Sequence, residues 1–209
     1  MPPLVGVIDY RMGNLKSVAN AFAHIGADVR IIKDPEQLVD VEKIVLPGVG
    51  AFGDGIANLR ALGFLPFMER EVFQRSKPFM GICLGLQLLA KTGWEHGRNK
   101  GLGWIPGVVR ILAPSDERLR VPHIGWNEVV FRPGERLFEG LGDRKDFYFV
   151  HSYHFVPEDP SVVTGECNYG ESIVASIRKD NIAAVQYHPE KSHKSGIKVL
   201  ENFVRGLTD

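Results

Sequence analysis

The sequence predicts an α/β protein whose mainly parallel central sheet is flanked by helices, with an antiparallel addition in the second half. Three observations carry this expectation. Up to residue 90, short runs of branched apolar residues alternate with stretches of helical spacing. Beyond that point the alternation gives way to strand-like runs separated by turns. No linker, low-complexity stretch or internal repeat divides the chain, so residues 1–209 read as one domain.

Leu4 to Ile8 is the first branched run, followed by Asp9 and the turn-prone Met12-Gly13-Asn14. From Leu15 to Ile25, the residues Leu15, Val18, Ala19, Phe22 and Ile25 recur at helical spacing. Val29 to Ile32 and Lys43 to Leu46 are the second and third strands, the latter broken by Pro47-Gly48-Val49-Gly50. Helical patterning covers Ile56 to Leu62 and Phe64 to Phe73. Phe79 to Ile82 is a fourth strand, and Leu84 to Ala90 reads as the helix after it. In the second half, strands are expected at Val108 to Leu112, Glu128 to Phe131, Phe147 to Val150, Val162 to Gly165, Ile173 to Ile177 and Ala183 to Tyr187. Helix returns at Lys198 to Val204.

Composition excludes several classes of function. Twenty-five basic residues balance 25 acidic ones, so charge points to neither nucleic acid nor an anionic membrane. The longest apolar stretches are too short or too rich in glycine to span a bilayer. The first residues enter a strand-like run without the basic region and cleavage site of a secretory leader. Two cysteines make no disulfide framework, and the expected setting is a reducing cytoplasm.

The two cysteines have different surroundings. Gly81-Ile82-Cys83-Leu84-Gly85 lies where a strand meets a helix, the setting of a nucleophile elbow. A sharp turn there lifts the thiol from the sheet, and glycine on either side relieves the crowding. A helix amino terminus favours thiolate, and the Leu84 N–H would face an oxyanion beside Cys83. Alone, the pentapeptide fits a buried structural cysteine equally well; Cys167 is read as ordinary packing. A thiol nucleophile needs a base, and the base an orienting group. Gln186-Tyr187-His188-Pro189-Glu190 offers both, with Pro189 stiffening the link between His188 and Glu190. Taken alone, the same residues fit a surface turn, and His151, His154, His188 and His193 could be imagined around a metal.

Together these segments resemble a known family. Gly-Ile-Cys-Leu-Gly-Leu-Gln at 81–87 is similar to the nucleophile signature of class I (triad) glutamine amidotransferases. Gln-Tyr-His-Pro-Glu-Lys-Ser at 186–192 resembles their His/Glu signature, and Pro47-Gly48-Val49-Gly50 their oxyanion loop. The segments Asp9-Tyr10, 12–15, 46–55, 101–109, 122–129 and 147–154 resemble the branch of the family that serves histidine biosynthesis, so the likeness spans nearly the whole chain. Arg11 departs from it, standing where the pattern has glycine, which puts the geometry of that turn in question.

The resemblance implies a site and a partner. Cys83 would attack the side-chain amide of L-glutamine, with His188 as base and then acid, and Glu190 orienting it. The oxyanion would be held by Leu84 N–H and by the loop at Val49 and Gly50. Gln87, the backbone at Ser152 and Tyr153, and Glu95 would contact the substrate, the Glu95 carboxylate pairing with the α-ammonium of glutamine. Ammonia would pass to a cyclase subunit with a (β/α)8 barrel, forming a heterodimer in which Asn14, Trp126, Tyr148 and Lys191 lie on or beside the partner face. No metal or other cofactor is implied. Two other readings stay open: a triad glutaminase serving an anthranilate, guanylate or pyridoxal phosphate synthase, and a non-catalytic docking subunit. Gly125-Trp126-Asn127 and Met12-Gly13-Asn14 favour the histidine branch.

Overall fold

The computed structural model describes residues 2–206. Strand β1 (Leu4–Ile8) leads to helix α1 (Leu15–His24), whose first turn is capped by Asn14 accepting the Ser17 N–H at 3.3 Å. Strands β2 (Asp28–Ile32) and β3 (Lys43–Gly48) follow, then helices α2 (Phe52–Ala61) and α3 (Phe64–Glu69), the last continued by a π-helical turn over Arg70–Gln74. Strand β4 (Phe79–Cys83) runs directly into helix α4 (Leu84–Gln87).

The second half carries strands β5 (Thr92–Gly93), β6 (Asn99–Lys100), β7 (Gly107–Ile111), β8 (His123–Phe131), β9 (Arg144–His151), β10 (Tyr153–Pro157), β11 (Val163–Asn168), β12 (Ser172–Lys179) and β13 (Ile182–Val185). Helix α5 (His193–Arg205) ends the described chain.

Nine strands form one sheet in the order β2-β1-β3-β4-β13-β12-β11-β8-β9. It is parallel from β2 to β13 and antiparallel from there to β9. Side chains alternate across it, as the period of two requires. Val5, Val7, Val45, Met80 and Ile82 face α1 and α5, meeting Phe22, Leu200 and Phe203. Ile8, Ile44, Leu46 and Phe79 face α2, α3 and α4, meeting Ile56, Leu59, Phe64 and Leu86. Each such aliphatic or aromatic side chain, fully buried, contributes about 1.5–3 kcal/mol.

One expectation is refined and one needs correction. The antiparallel addition is present and takes two forms, the strands β12-β11-β8-β9 of the main sheet and a second sheet in the order β10-β7-β5-β6. Its strands β5 and β6 are two residues each, too short to display a period. The helix expected to reach Ala90 stops at Gln87. Its next carbonyls are taken by the 102–105 segment: Leu102, Gly103 and Ile105 donate to Leu88, Ala90 and Leu89 at 2.9–3.1 Å. Tertiary hydrogen bonds thus replace the helical ones at Leu88–Ala90. Among the described residues, no helix is long and apolar enough to cross a membrane.

Candidate active site

Cys83 ends β4 and begins α4 with φ +53° and ψ −107°, an angle pair that L residues rarely adopt. The neighbouring glycines make this turn possible. A Cβ on Gly81 would stand 2.7 Å from the Gly85 carbonyl oxygen, and one on Gly85 would collide with the Leu46 carbonyl oxygen. Gly48, opposite Cys83 in the β3–β4 register, is packed over the Tyr10 hydroxyl. Burial, and secondarily Cys83, push that hydroxyl well above its usual range, so Tyr10 stays neutral.

His188 follows β13, the strand beside β4, and is held by backbone. Its N–H donates to Tyr148 O at 2.9 Å, and its carbonyl accepts the Ser192 hydroxyl at 2.6 Å. The 3₁₀ turn Pro189–Lys191 then brings Glu190 back to the ring, where Oε1 lies 2.8 Å from His188 Nδ1. Both side chains are buried, at 4% and 3% exposure, so this pair is little screened by water. Nε2 has no well-formed hydrogen bond, and the group that couples to it is Cys83. Burial opposes a charged ring, but Cys83 and then Glu190 outweigh it and raise His188 to about 10. A proton given up by the thiol therefore has a stable place on this ring.

A test follows from that coupling. In Cys83→Ala, the His188 titration should fall well below about 10, since the alanine removes the strongest group raising it. Nitrogen-15 spectra of the ring across pH would show this, and an unmoved titration would contradict the coupling. The sign for stability is that of a raised histidine. The ring's contribution is complete below about 6.5 and disappears as pH climbs through about 10.

Short α4 changes the expected source of thiolate stabilisation. A four-residue helix has little macrodipole, so the helix end contributes little there. The local donors remain. Neither Leu84 N–H, Val49 N–H nor Gly50 N–H has an acceptor among the described residues.

A cavity of about 200 Å³ opens beside the thiol, bounded by Val49, Gly50, Leu84, Gln87, Glu95, and the 150–153 segment. It brings together Cys83 and every residue expected to bind the substrate. Gln87 is buried, and its amide N–H groups donate to Tyr153 O at 2.8 Å and Gln186 Oε1 at 3.1 Å. Glu95 accepts the Phe52 N–H at 2.7 Å, at the start of α2, so it is an ordered part of the wall. Ser152 and Tyr153 form the corner between β9 and β10, where Ser152 O accepts the Leu112 N–H at 2.9 Å.

The outer side of the triad differs. Asn14 and Lys191 share a small crevice with Val49, His188 and Glu190. Lys191 Nζ sits 5.8 Å over the Tyr148 ring, and Trp126 stands edge-on to that ring at 6.1 Å. Trp126 is 48% exposed and stacks on His193, which excludes its packing in the domain's own core. A larger groove of about 940 Å³ runs from Trp126 along α5, but Cys83 does not line it.

Among the described residues, no three His, Cys, Asp or Glu side chains gather as metal ligands. Cys167 is buried in β11, where desolvation pushes its thiol up to about 12 and leaves it inert. Arg11 adopts φ +67°, a left-handed conformation in which glycine is strain-free, and its N–H donates to Asp9 at 3.1 Å.

Gln186 was not anticipated. It is buried just after β13 and donates to the Cys83 sulfur at 3.7 Å. Its place two residues before His188 was the available signal.

The glutamine amidotransferase class-I family model matches residues 6–207. The chain belongs to the class-I glutamine amidotransferase family. Within it, the amidotransferase is 45% identical to imidazole glycerol phosphate synthase subunit HisH 1 of Campylobacter jejuni subsp. jejuni serotype O:23/36 (strain 81-176), over 97% of this chain and 100% of that one. It is 48% identical to imidazole glycerol phosphate synthase subunit HisH of Aquifex aeolicus (strain VF5), over 95% of each chain. The fold also matches the structure of PurLQS from Thermotoga maritima, with a TM-score of 0.77 at 20% identity over 98% and 99% of the two chains.

Proposed function

We propose that this amidotransferase is the glutaminase subunit of an imidazole glycerol phosphate synthase, hydrolysing L-glutamine to L-glutamate and ammonia in the cytoplasm. The single observation that carries the chemistry is the buried Cys83–His188–Glu190 set beside a small cavity that Cys83 lines. The near full-length likeness to synthase subunits of that name supports the assignment of the pathway.

Cys83, as thiolate, attacks the amide carbon of glutamine. The developing oxyanion is received by the Leu84 N–H and by the Val49 or Gly50 N–H, donors with no competing acceptor. His188 gives its proton to the leaving nitrogen, releasing ammonia and a glutamyl thioester. Water then attacks the thioester carbonyl, His188 takes its proton, and glutamate departs. Glu190 holds the ring tautomer and balances its charge throughout. Gln87 Oε1, the Ser152–Tyr153 backbone and Glu95 bind the amino-acid end of the substrate.

Ammonia passes to a cyclase subunit with a (β/α)8 barrel. That subunit docks over Asn14, Trp126, Tyr148 and Lys191, beside the triad, in a heterodimer. The half-exposed Trp126 ring supports this face, since an aromatic of that size is an anchor at protein interfaces. The expected result is glutamate release that rises when a cyclase and its nucleotide ligand are added. Trp126→Ala should weaken assembly by at least about 2 kcal/mol, or roughly thirtyfold in Kd by titration calorimetry. Unchanged affinity would move the partner elsewhere, and co-purification with a different synthase would overturn the pathway.

A further inference from the structure

The β8–β9 register sets His123 opposite His151, and the two buried rings meet with Nδ1 of His123 3.0 Å from Nε2 of His151. His123 is stacked between Phe149 and Tyr169, at centroid distances of 4.8 and 4.0 Å. Each end of this pair continues. His151 Nδ1 lies 2.9 Å from the Tyr153 carbonyl oxygen. His123 Nε2 lies 3.3 Å from Asn127 Nδ2, which also donates to Asn168 O at 2.9 Å.

Carbonyl oxygens only accept, and this fixes the direction of the whole chain. His151 must carry its proton on Nδ1 to serve Tyr153, so its Nε2 is an acceptor. His123 must then donate from Nδ1, which leaves its Nε2 to accept from Asn127. The Asn127 orientation is fixed in turn by Asn168 O. A second proton on either ring would set N–H against N–H, at His151 facing His123 or at His123 facing Asn127. Burial agrees with that exclusion, lowering His123 to about 4 and His151 to about 3.

The chain ends where the reaction needs rigidity. Tyr153 O, which accepts from His151, also accepts from Gln87, and His151 itself lines the cavity beside Cys83. The opposite end lies on β8 next to Trp126. We propose that Asn127, His123 and His151 form a one-directional hydrogen-bond relay that positions the Ser152–Tyr153 corner for glutamine. These are positioning residues, and their role in catalysis rests on the glutaminase reading above. A neutral His151 also keeps a second positive charge away from His188, which must hold the working proton.

Two measurements test the relay. In the full-length wild-type chain with nitrogen-15 histidine, both rings should be neutral Nδ1–H tautomers at pH 6, the form less favoured by free imidazole. An Nε2–H tautomer or a cation at either ring would overturn the proposal. In the chain assembled with its synthase partner, His123→Phe keeps the ring stack and removes the relay. It should raise the KM for glutamine about fivefold, the loss of roughly one hydrogen bond, with kcat changed far less. His123→Asn, which returns a donor to His151, should restore most of that loss. An unchanged KM in His123→Phe would also overturn the positioning role. Absence of glutaminase activity in the wild type would count against the reading of the site, and the ring tautomers would still decide the relay.

Discussion

Cys83→Ala should abolish glutamine hydrolysis, by about four orders of magnitude or more, while synthesis from added ammonium continues in the assembled enzyme. The thiol both lines the cavity and couples to His188, while Cys167 is buried elsewhere as an inert thiol. Alanine fits the same backbone space, so the change tests chemistry and not folding. Glutamate release and ammonium-dependent product formation, measured on one preparation, separate the two activities. Glutamate release at a near-normal rate would remove Cys83 from the mechanism. Loss of ammonium-dependent synthesis would show that the alanine chain no longer supports its partner.

Gly85→Ala should cost the protein more than about 4 kcal/mol or prevent its accumulation altogether, with activity lost in either case. Its Cβ would occupy the position of the Leu46 carbonyl oxygen, and backbone on backbone leaves neither side free to yield. To relieve the overlap, α4 would have to move away from β3, carrying Leu84 N–H away from the oxyanion position. Gly55→Ala is the informative contrast. The nearest atoms to its Cβ, inside helix α2, would be Leu88 and Leu84 side-chain methyl carbons at 3.2–3.3 Å. Small side-chain shifts, offset by about 1 kcal/mol of helix propensity, should keep that variant within about 1 kcal/mol of wild type. Denaturant unfolding of the two variants reads the difference directly. Equal stability for both would refute the account of the elbow.

The parts legible in the sequence share one property: their chemistry constrains residues that are neighbours along the chain. A strained turn at Cys83 requires Gly81 and Gly85, and the return from His188 to Glu190 uses Pro189. The alternating core of β1, β3 and β4 is local in the same sense. What escaped depends on register or tertiary exchange. His123 and His151 are 28 residues apart and meet only because β8 and β9 pair as they do. Thr92–Gly93 becomes a strand because β7 and β6 lie on either side of it. Leu88 to Ala90 has a helical pattern, but their carbonyls are claimed by Leu102, Gly103 and Ile105. Nothing within the residues themselves announces such a competitor.

The strand order has a consequence for how this protein comes into being. β13, near the end of the chain, is seated between β4 and β12, with Val185 paired to Ile82 and Ala184 to Gly81. The thiol and its base therefore approach from neighbouring strands that the ribosome makes at very different times. Cys83 emerges well before β13, and until β13 is made β4 has an exposed edge where that strand will later lie. Closing such a non-local pairing is among the slower events of folding, and the open edge is the place where a nascent chain is most prone to misassociate. The arrangement also ties chemistry to completion. A chain halted before Ile182 holds Cys83 without His188, so on the proposed mechanism it would spare glutamine until β13 is in place.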